Sequence, residues 1–269
     1  VIEGYSLGNP AVAAIKIGNS RRLYCGSVMM YYYYYDDIFK KCAGQGVSYS
    51  DDNGSTWTNK LLAIPNFVNG DALYYLNLNH LAVDTNVNSP YYGSVYSAWT
   101  PITNEWKNYN QFGVPDYGKI AYKYSRDGET WTDPDYPAQV ISDSDSLGIV
   151  LNCGVNLQVG LNGEVYAVWA MYHNDTLNSG AAGRPPFGSE FALGFAKSVN
   201  GGQSFSSAST IINNIKGINR DASFHYYHDF YPVSFPVMCV DHSPVHPGRI
   251  YVAWSNIGVP GINEGLQSD

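Results

Sequence analysis

The sequence predicts an all-β fold built from repeated four-stranded antiparallel units, and three observations carry that expectation. Charged residues make up 14% of the 269 positions while aromatics reach 15%, with 24 Tyr and 27 Gly, a balance that suits strands and tight turns better than solvent-facing helices. A turn sequence recurs three times at near-equal spacing. A strand–turn–strand pattern precedes each copy.

The turns are Ser50-Asp51-Asp52-Asn53-Gly54-Ser55-Thr56-Trp57, Ser125-Arg126-Asp127-Gly128-Glu129-Thr130-Trp131 and Ser198-Val199-Asn200-Gly201-Gly202-Gln203-Ser204-Phe205, with starts 75 and 73 residues apart. Each has a Ser, an Asp or Asn two residues on, Gly where positive φ is wanted, then a hydroxyl residue and an aromatic ring. The chemistry is that of a hairpin turn: the Asx side chain bonds nearby backbone N–H groups, Gly reverses the chain and the ring covers the sheet. Ser50, Asp52, Gly54, Trp57, Ser125, Asp127, Gly128, Trp131, Ser198, Asn200, Gly202 and Phe205 are therefore read as structural staples.

The pattern ahead of each turn is clearest over 155–172, where an apolar strand, a Gly-Leu-Asn-Gly turn and the strand Val165–Trp169 follow one another. The same grammar joins Leu81–Asp84 to Val95–Trp99, Met238–Asp241 to Ile250–Trp254 and, more weakly, Val12–Ile15 to Leu23–Cys25. Each unit then reads as strand A, a tight turn, strand B, a longer loop, strand C, the Asp turn and strand D. Meanders of this kind stack radially into a β-propeller.

The turns resemble the Asp-boxes, or bacterial neuraminidase repeats, of sialidases and many other secreted propellers. The first copy matches Ser-X-Asp-X-Gly-X-Thr-Trp fully, the second is one residue short, and the third has Asn200 for Asp and Phe205 for Trp. The resemblance implies one propeller domain over residues 1–269, in a ring of six or more blades of which about three and a half are readable. A fourth Asp turn is due near position 280, so the domain is expected to be incomplete at its C-terminus or closed by another chain.

Antiparallel alternation puts the A-to-B and C-to-D turns at one end of every blade and the B-to-C and D-to-A loops at the other. The loops of that second end hold Tyr31–Tyr35 with Asp36, Asp37, Phe39, Lys40 and Lys41, then Trp106, Tyr109, Asn110 and Tyr117, then His173, Asp175, Arg184 and Glu190, then the stretch from Arg220 to Tyr231. Aromatic faces stack on sugar C–H surfaces while polar groups hold hydroxyls, which makes Tyr33, Tyr35, Trp106, Tyr109, Arg184, Arg220, His225, His228 and Asp229 the candidate ligand contacts. The tyrosine run reads equally well as a strand with alternate rings in the core. His225-X-X-His228 lacks a third His nearby, so a hydrogen-bonded loop is preferred over a metal site, and no metal or cofactor is expected.

Sialidase resemblance implies three Arg around a substrate carboxylate, a Tyr nucleophile activated by Glu, and an Asp acid/base. On that pattern Asp36 or Asp37 is the acid, Glu190 the activating residue, and Tyr226, Tyr227 or Tyr231 the nucleophile. The chain departs from the family at its arginines. The Phe-Arg-Ile-Pro signature is absent, and only Arg184 and Arg220 fall in loops of the appropriate end. The preferred reading is thus a secreted or cell-surface module that binds glycan or protein without catalysis. An exo-sialidase, and a subunit of an extracellular assembly whose ring a neighbour completes, are the alternatives.

A formal net charge of -8 with 15 basic residues disfavours nucleic acid and anionic membrane surfaces as partners. No apolar run is long enough for membrane insertion, and Val1-Ile2-Glu3-Gly4 does not look like a signal peptide. Of Cys25, Cys42, Cys153 and Cys239, only the first two are close enough in sequence to suggest a bridge within a blade, and free buried thiols are an equal reading. Asn53-Gly54-Ser55 and Asn174-Asp175-Thr176 are formal glycosylation acceptors.

Overall fold

The computed structural model describes residues 5–35, 38–64, 67–68, 71–72, 75–102, 118–131, 138–142, 150–174, 187–215 and 235–256. These contain strands and no helix. Blade 1 is β1 (Tyr5–Ile17), β2 (Ser20–Tyr35), β3 (Ile38–Ser50) and β4 (Thr58–Ala63), and a small hairpin of β5 (Phe67–Val68) and β6 (Asp71–Ala72) follows. Blade 2 is β7 (Tyr75–Val83), β8 (Val95–Ile102), β9 (Ala121–Ser125) and β10 (Gln139–Val140). Blade 3 is β11 (Val150–Val159), β12 (Val165–Asn174), β13 (Phe187–Ser198) and β14 (Ser209–Asn213), and β15 (Val237–Val240) with β16 (Ile250–Ala253) begins blade 4. Every pairing is antiparallel between sequence neighbours.

The first strand of each blade packs against the first strand of the next, β1 on β7, β7 on β11 and β11 on β15. Those strands are the innermost, and the blades fan out from them as in a propeller. The core lies between blades. One apolar cluster joins Ile15, Tyr24, Val47 and Leu62 of blade 1 to Leu81, Val95 and Trp99 of blade 2. A second joins Tyr96, Ile120 and Tyr122 of blade 2 to Val155, Leu157, Trp169 and Met171 of blade 3, and a third joins Val168 and Leu193 to Met238 of blade 4. Burying each such side chain is worth about 1.5–3 kcal/mol, and because every cluster needs two blades, each blade folds against its neighbour.

All three complete blades carry a bulge at the same place in the innermost strand. Gly8 and Ala11 oppose Val28 and Gly26, Asn77 and His80 oppose Thr100 and Ala98, and Cys153 and Asn156 oppose Ala170 and Val168, one extra residue each time. The bulge sharpens the local twist and turns the following residue toward the next blade.

The Asp turns form one motif in three spellings. In the first, Asp52 accepts the Thr56 N–H (2.8 Å) and hydroxyl (2.6 Å), while Ser50 Oγ donates to Asp52 (2.7 Å) and accepts the Gly54 N–H (2.8 Å). Asp127 takes the Thr130 N–H at 2.7 Å and its hydroxyl at 2.8 Å. In the third turn Asn200 accepts the Ser204 N–H at 3.0 Å and donates its own amide to Ser204 Oγ at 2.9 Å, so the Asn fits because donor and hydroxyl exchange roles. The missing residue of the second turn also has an account. Asn53–Gly54 and Gly201–Gly202 each spend two residues at positive φ, whereas the second turn reverses on Gly128 alone.

Two loop expectations are corrected. Of the two readings of Tyr31–Tyr35, strand rather than loop is found, and Phe39–Lys41 are not loop: β2 and β3 extend together until Tyr35 pairs with Ile38, leaving only Asp36 and Asp37 between them. His173 and Glu190 lie in β12 and β13, because blade 3 likewise keeps its ladder past the apolar segment. The bridge within blade 1 is not made. Cys25 is a free thiol, and Cys42 faces Tyr31, six positions farther along β2, which at ~3.3 Å per residue is about 20 Å away. Cys153 and Cys239 are free as well.

Candidate functional site

At the end of blade 3 opposite its Asp turn, the β12–β13 ladder breaks register twice, between Met171 and Tyr172 and between Tyr172 and Asn174. Tyr172 and Glu190 are the pair caught between the breaks. Irregularities of this kind re-aim side chains, and here both turn inward: Glu190 is 1% exposed, Tyr172 is 2% exposed, and the Tyr172 hydroxyl donates to Glu190 Oε2 at 3.4 Å. Burial, then the neighbouring Glu190 charge, pushes the Tyr172 hydroxyl far above the ordinary phenol range. The same two causes raise the thiol of fully buried Cys153. Cys153, Ala170 and Tyr172 form one cluster, closed by Phe235 from the approach to β15. Gly154, in the bulge at φ +66, leaves the space that this ring fills, since a Cβ there would lie 2.1 Å from it.

The adjoining anchor is Asn152. Its amide accepts the Trp169 indole N–H at 2.7 Å and donates to the Gly118 carbonyl at 3.1 Å, while its backbone N–H reaches that carbonyl at 2.7 Å. Gly118 in turn donates to Pro101 O at 3.1 Å. Both stems of segment 103–117 are thus tied together and pinned to the next blade.

Deeper along the innermost strands, His80 reaches from β7 to β11. Its Nδ1 accepts the Leu157 N–H at 3.1 Å and Nε2 lies 3.1 Å from the Asn156 amide. With Nδ1 accepting, a neutral ring carries its proton on Nε2, and the Asn156 Oδ1 accepts from Gln158 Nε2 at 3.4 Å. Burial holds the imidazole pKa down to about 4. His80 is the residue one repeat before Asn156, and each follows the bulge of its own strand, so a repeat alignment extended one residue upstream of Leu81 would have found the pair. The partner of Glu190 had a signal too: continuing the ladder beyond Trp169 makes Tyr172 its neighbour.

Of the sequence-nominated ligand and catalytic residues, Glu190 is the one whose side chain the structure places, and its partner is Tyr172. Tyr33 and Tyr35 are located in backbone only, paired with Lys40 and Ile38. Asp36, Asp37, Trp106, Tyr109, Arg184, Arg220, His225, Tyr226, Tyr227, His228, Asp229 and Tyr231 lie outside the described residues. No helix among the described residues is long and apolar enough to cross a membrane.

No protein-family model matches the chain, and no curated protein does. Solved structures show a likeness of arrangement at low identity. An α-L-arabinanase of Penicillium chrysogenum complexed with arabinobiose is 12% identical, with a TM-score of 0.45 over 93% of this chain and 64% of its own. A protein of unknown function from Dyadobacter fermentans gives 14% identity and a TM-score of 0.44 over 92% of this chain and 60% of its own. The Hadza microbial sialidase Hz136 gives 14% and 0.41, over 80% of this chain and 42% of its own. The chain thus spans less than two thirds of the length of each. By its own sheets, its class is an all-β propeller arc of four-stranded antiparallel blades.

Proposed function

We propose that this chain is an extracellular propeller module that recognises a glycan or a protein surface at the end opposite its Asp turns and does no chemistry on it. The observation that carries the reading is the burial of Glu190 against Tyr172. A tyrosine nucleophile needs an oxygen that substrate can reach and that ionises readily with help from its Glu. Here the hydroxyl is enclosed, and both burial and the Glu190 charge oppose its ionisation, so the pair supports a structural anchor for the loop-bearing end. The test is a glycan array in parallel with a turnover assay on an aryl sialoside. Binding without product release is expected, and release of the aryl group sinks the reading.

A second reading, an exo-sialidase, draws on the same pair: a Tyr and a Glu do face each other at the loop-bearing end. On that reading Tyr172→Phe abolishes sialoside turnover.

A further inference from the structure

The layer between blades 1 and 2 changes character beside the bulge of β7. Toward the Asp turns it is apolar, with Val47 of β3 and Leu81 of β7 in one cluster. Side chains two apart on a strand share a face, so Gln45, two residues before Val47, continues the blade 1 wall toward the loop-bearing end. The facing residue of blade 2 is Asn79, inside the bulge. Blade 1 admits it by a glycine. Gly26 pairs with Val47, and Val28 with Gln45 on the next rung of that face. A Cβ on Gly26 would lie 2.7 Å from Asn79 Nδ2 and 3.7 Å from Leu81 Cβ, so any side chain there would stand on the Asn79 amide.

Both amides are buried, Gln45 completely and Asn79 to 9% exposure. Gln45 donates from Nε2 to Ser27 O and Gly46 O, at 3.2 Å each. Its two protons are thereby used, and its Oε1 is fixed as an acceptor. That oxygen has no hydrogen-bond partner among the described residues, and neither Asn79 Nδ2 nor Asn79 Oδ1 has one. Buried polar atoms left in this state are costly, and native folds satisfy nearly all of them. In the next layer a side chain of the β7 bulge spans directly, His80 accepting the Leu157 N–H at 3.1 Å. Asn79 and Gln45 do not reach each other, yet one offers a donor and the other requires one.

We propose that an ordered internal water joins them, accepting from Asn79 Nδ2 and donating to Gln45 Oε1. Buried waters hold polar groups together in this way wherever two or more partners converge. The occupant is small and neutral. A metal cation is repelled by the ammonium of buried Lys123, which lies in the same layer with Nζ 2.8 Å from Leu62 O, and the two amide oxygens turn an anion away. Blades 1 and 2 are thus joined through solvent at the level where blades 2 and 3 are joined by an imidazole. The site does not depend on glycan recognition.

The test is water-selective NMR on the intact, 15N-labelled chain, with urea denaturation of variants. The side-chain amide signals that Asn79→Leu and Gln45→Met respectively delete are each expected to show cross-peaks to water of the sign that a long-held solvent molecule gives. Asn79→Leu should also remove the water cross-peak of Gln45 and lower the folding equilibrium constant about tenfold. In the Gln45→Met background the same change should cost clearly less, because the water has already lost one partner. Should the Leu variant not fold, Asn79→Ser, smaller and still polar, deletes the same signal. Parent signals without water cross-peaks overturn the proposal. So does an Asn79→Leu chain as stable as the parent or more so, the result expected of an amide in a dry layer, and so do losses that simply add in the double variant.

Discussion

The two ends of the described blades are held in different ways. At the Asp-turn end, side chains of blades 1 and 2 cross-link three blades. Arg22 grips Asp51 with two hydrogen bonds and reaches Glu129, with its guanidinium 4.5 Å above the Tyr49 ring. The loop Asp84–Ser94 spans blades 1 to 3, with the Tyr92 hydroxyl on Lys16 O, Asn86 on Leu161 O, and Tyr91 packed over Gly201 under Arg126. At the opposite end the described ties are Asn152 to Gly118 and Tyr172 to Glu190. Among the described residues, radial cohesion is concentrated at the short-turn end. The other end carries the longer connections, and in scaffolds generally recognition is placed on such loops.

If the Asp-turn end carries the joints, crowding one of its glycines should cost most. Gly202 combines φ +80 with the Tyr122 hydroxyl 1.9 Å from a would-be Cβ, whereas Gly18, at φ +59 on the same end, has nothing within 4 Å. Gly18→Val therefore measures the backbone cost alone, about 1–2 kcal/mol. Gly202→Val adds the packing clash and should lose about 3–4 kcal/mol in urea denaturation. Equal losses at the two positions would break the comparison, because the joint would then contribute nothing.

His80 lies between the two ends and tests cohesion at the innermost strands. Its folded pKa, held down to about 4 by burial, is below the ordinary ~6.5. The unfolded chain therefore binds the extra proton first as pH falls. Stability attributable to His80 is fully present above about pH 6.5 and is lost as pH drops toward 4, by roughly 3 kcal/mol in all at ~1.4 kcal/mol per pH unit. His80→Gln should flatten that part of the stability-versus-pH curve. An unchanged slope would mean that the ring is not the neutral acceptor for Leu157.

Arg22→Ala removes the charged span between blades 1 and 2. The guanidinium is mostly shielded while Asp51 and Glu129 are about half exposed, so solvent screening limits the loss to about 1–2 kcal/mol. Arg22→Lys should recover little, because a point charge cannot reproduce the two-bond grip on Asp51. Raising salt from 0.05 to about 1 M should shrink the Arg-to-Ala difference, since exposed pairs are screened.

Most of the fold was legible because turn chemistry is local. Ser, Asx, Gly and an aromatic within eight residues announce each hairpin, and period-two apolar strands precede it. Joints between blades were illegible for the complementary reason. Arg22 and Glu129, 107 positions apart, or His80 and Asn156, 76 apart, meet only once the radial stack brings neighbouring blades together, and no short window contains both. The loop-bearing end was read least well. Glu190 looks like a loop residue and the tyrosine run reads as either loop or strand when strands are bounded by apolar runs, but the ladders continue through polar and aromatic sequence because backbone pairing does not need an apolar side chain.

Tyr172→Phe sharpens the comparison from the other end and has the smallest expected effect. The change keeps the ring that packs with Cys153 and Phe235 and deletes only the hydroxyl that Glu190 accepts at 3.4 Å. A long hydrogen bond to a buried carboxylate that keeps other interactions should cost about 1 kcal/mol, less than the change at any Asp-turn joint. Glycan or protein binding should be unaltered, since the ring is enclosed, and Cys153 should stay inert to thiol reagents in both forms because its raised thiol pKa comes first from burial. If the Phe variant instead loses several kcal/mol, the loop-bearing end is as integral to the stack as the Asp-turn end. If it loses a turnover that the parent possesses, the buried pair opens to substrate and the chain is a hydrolase.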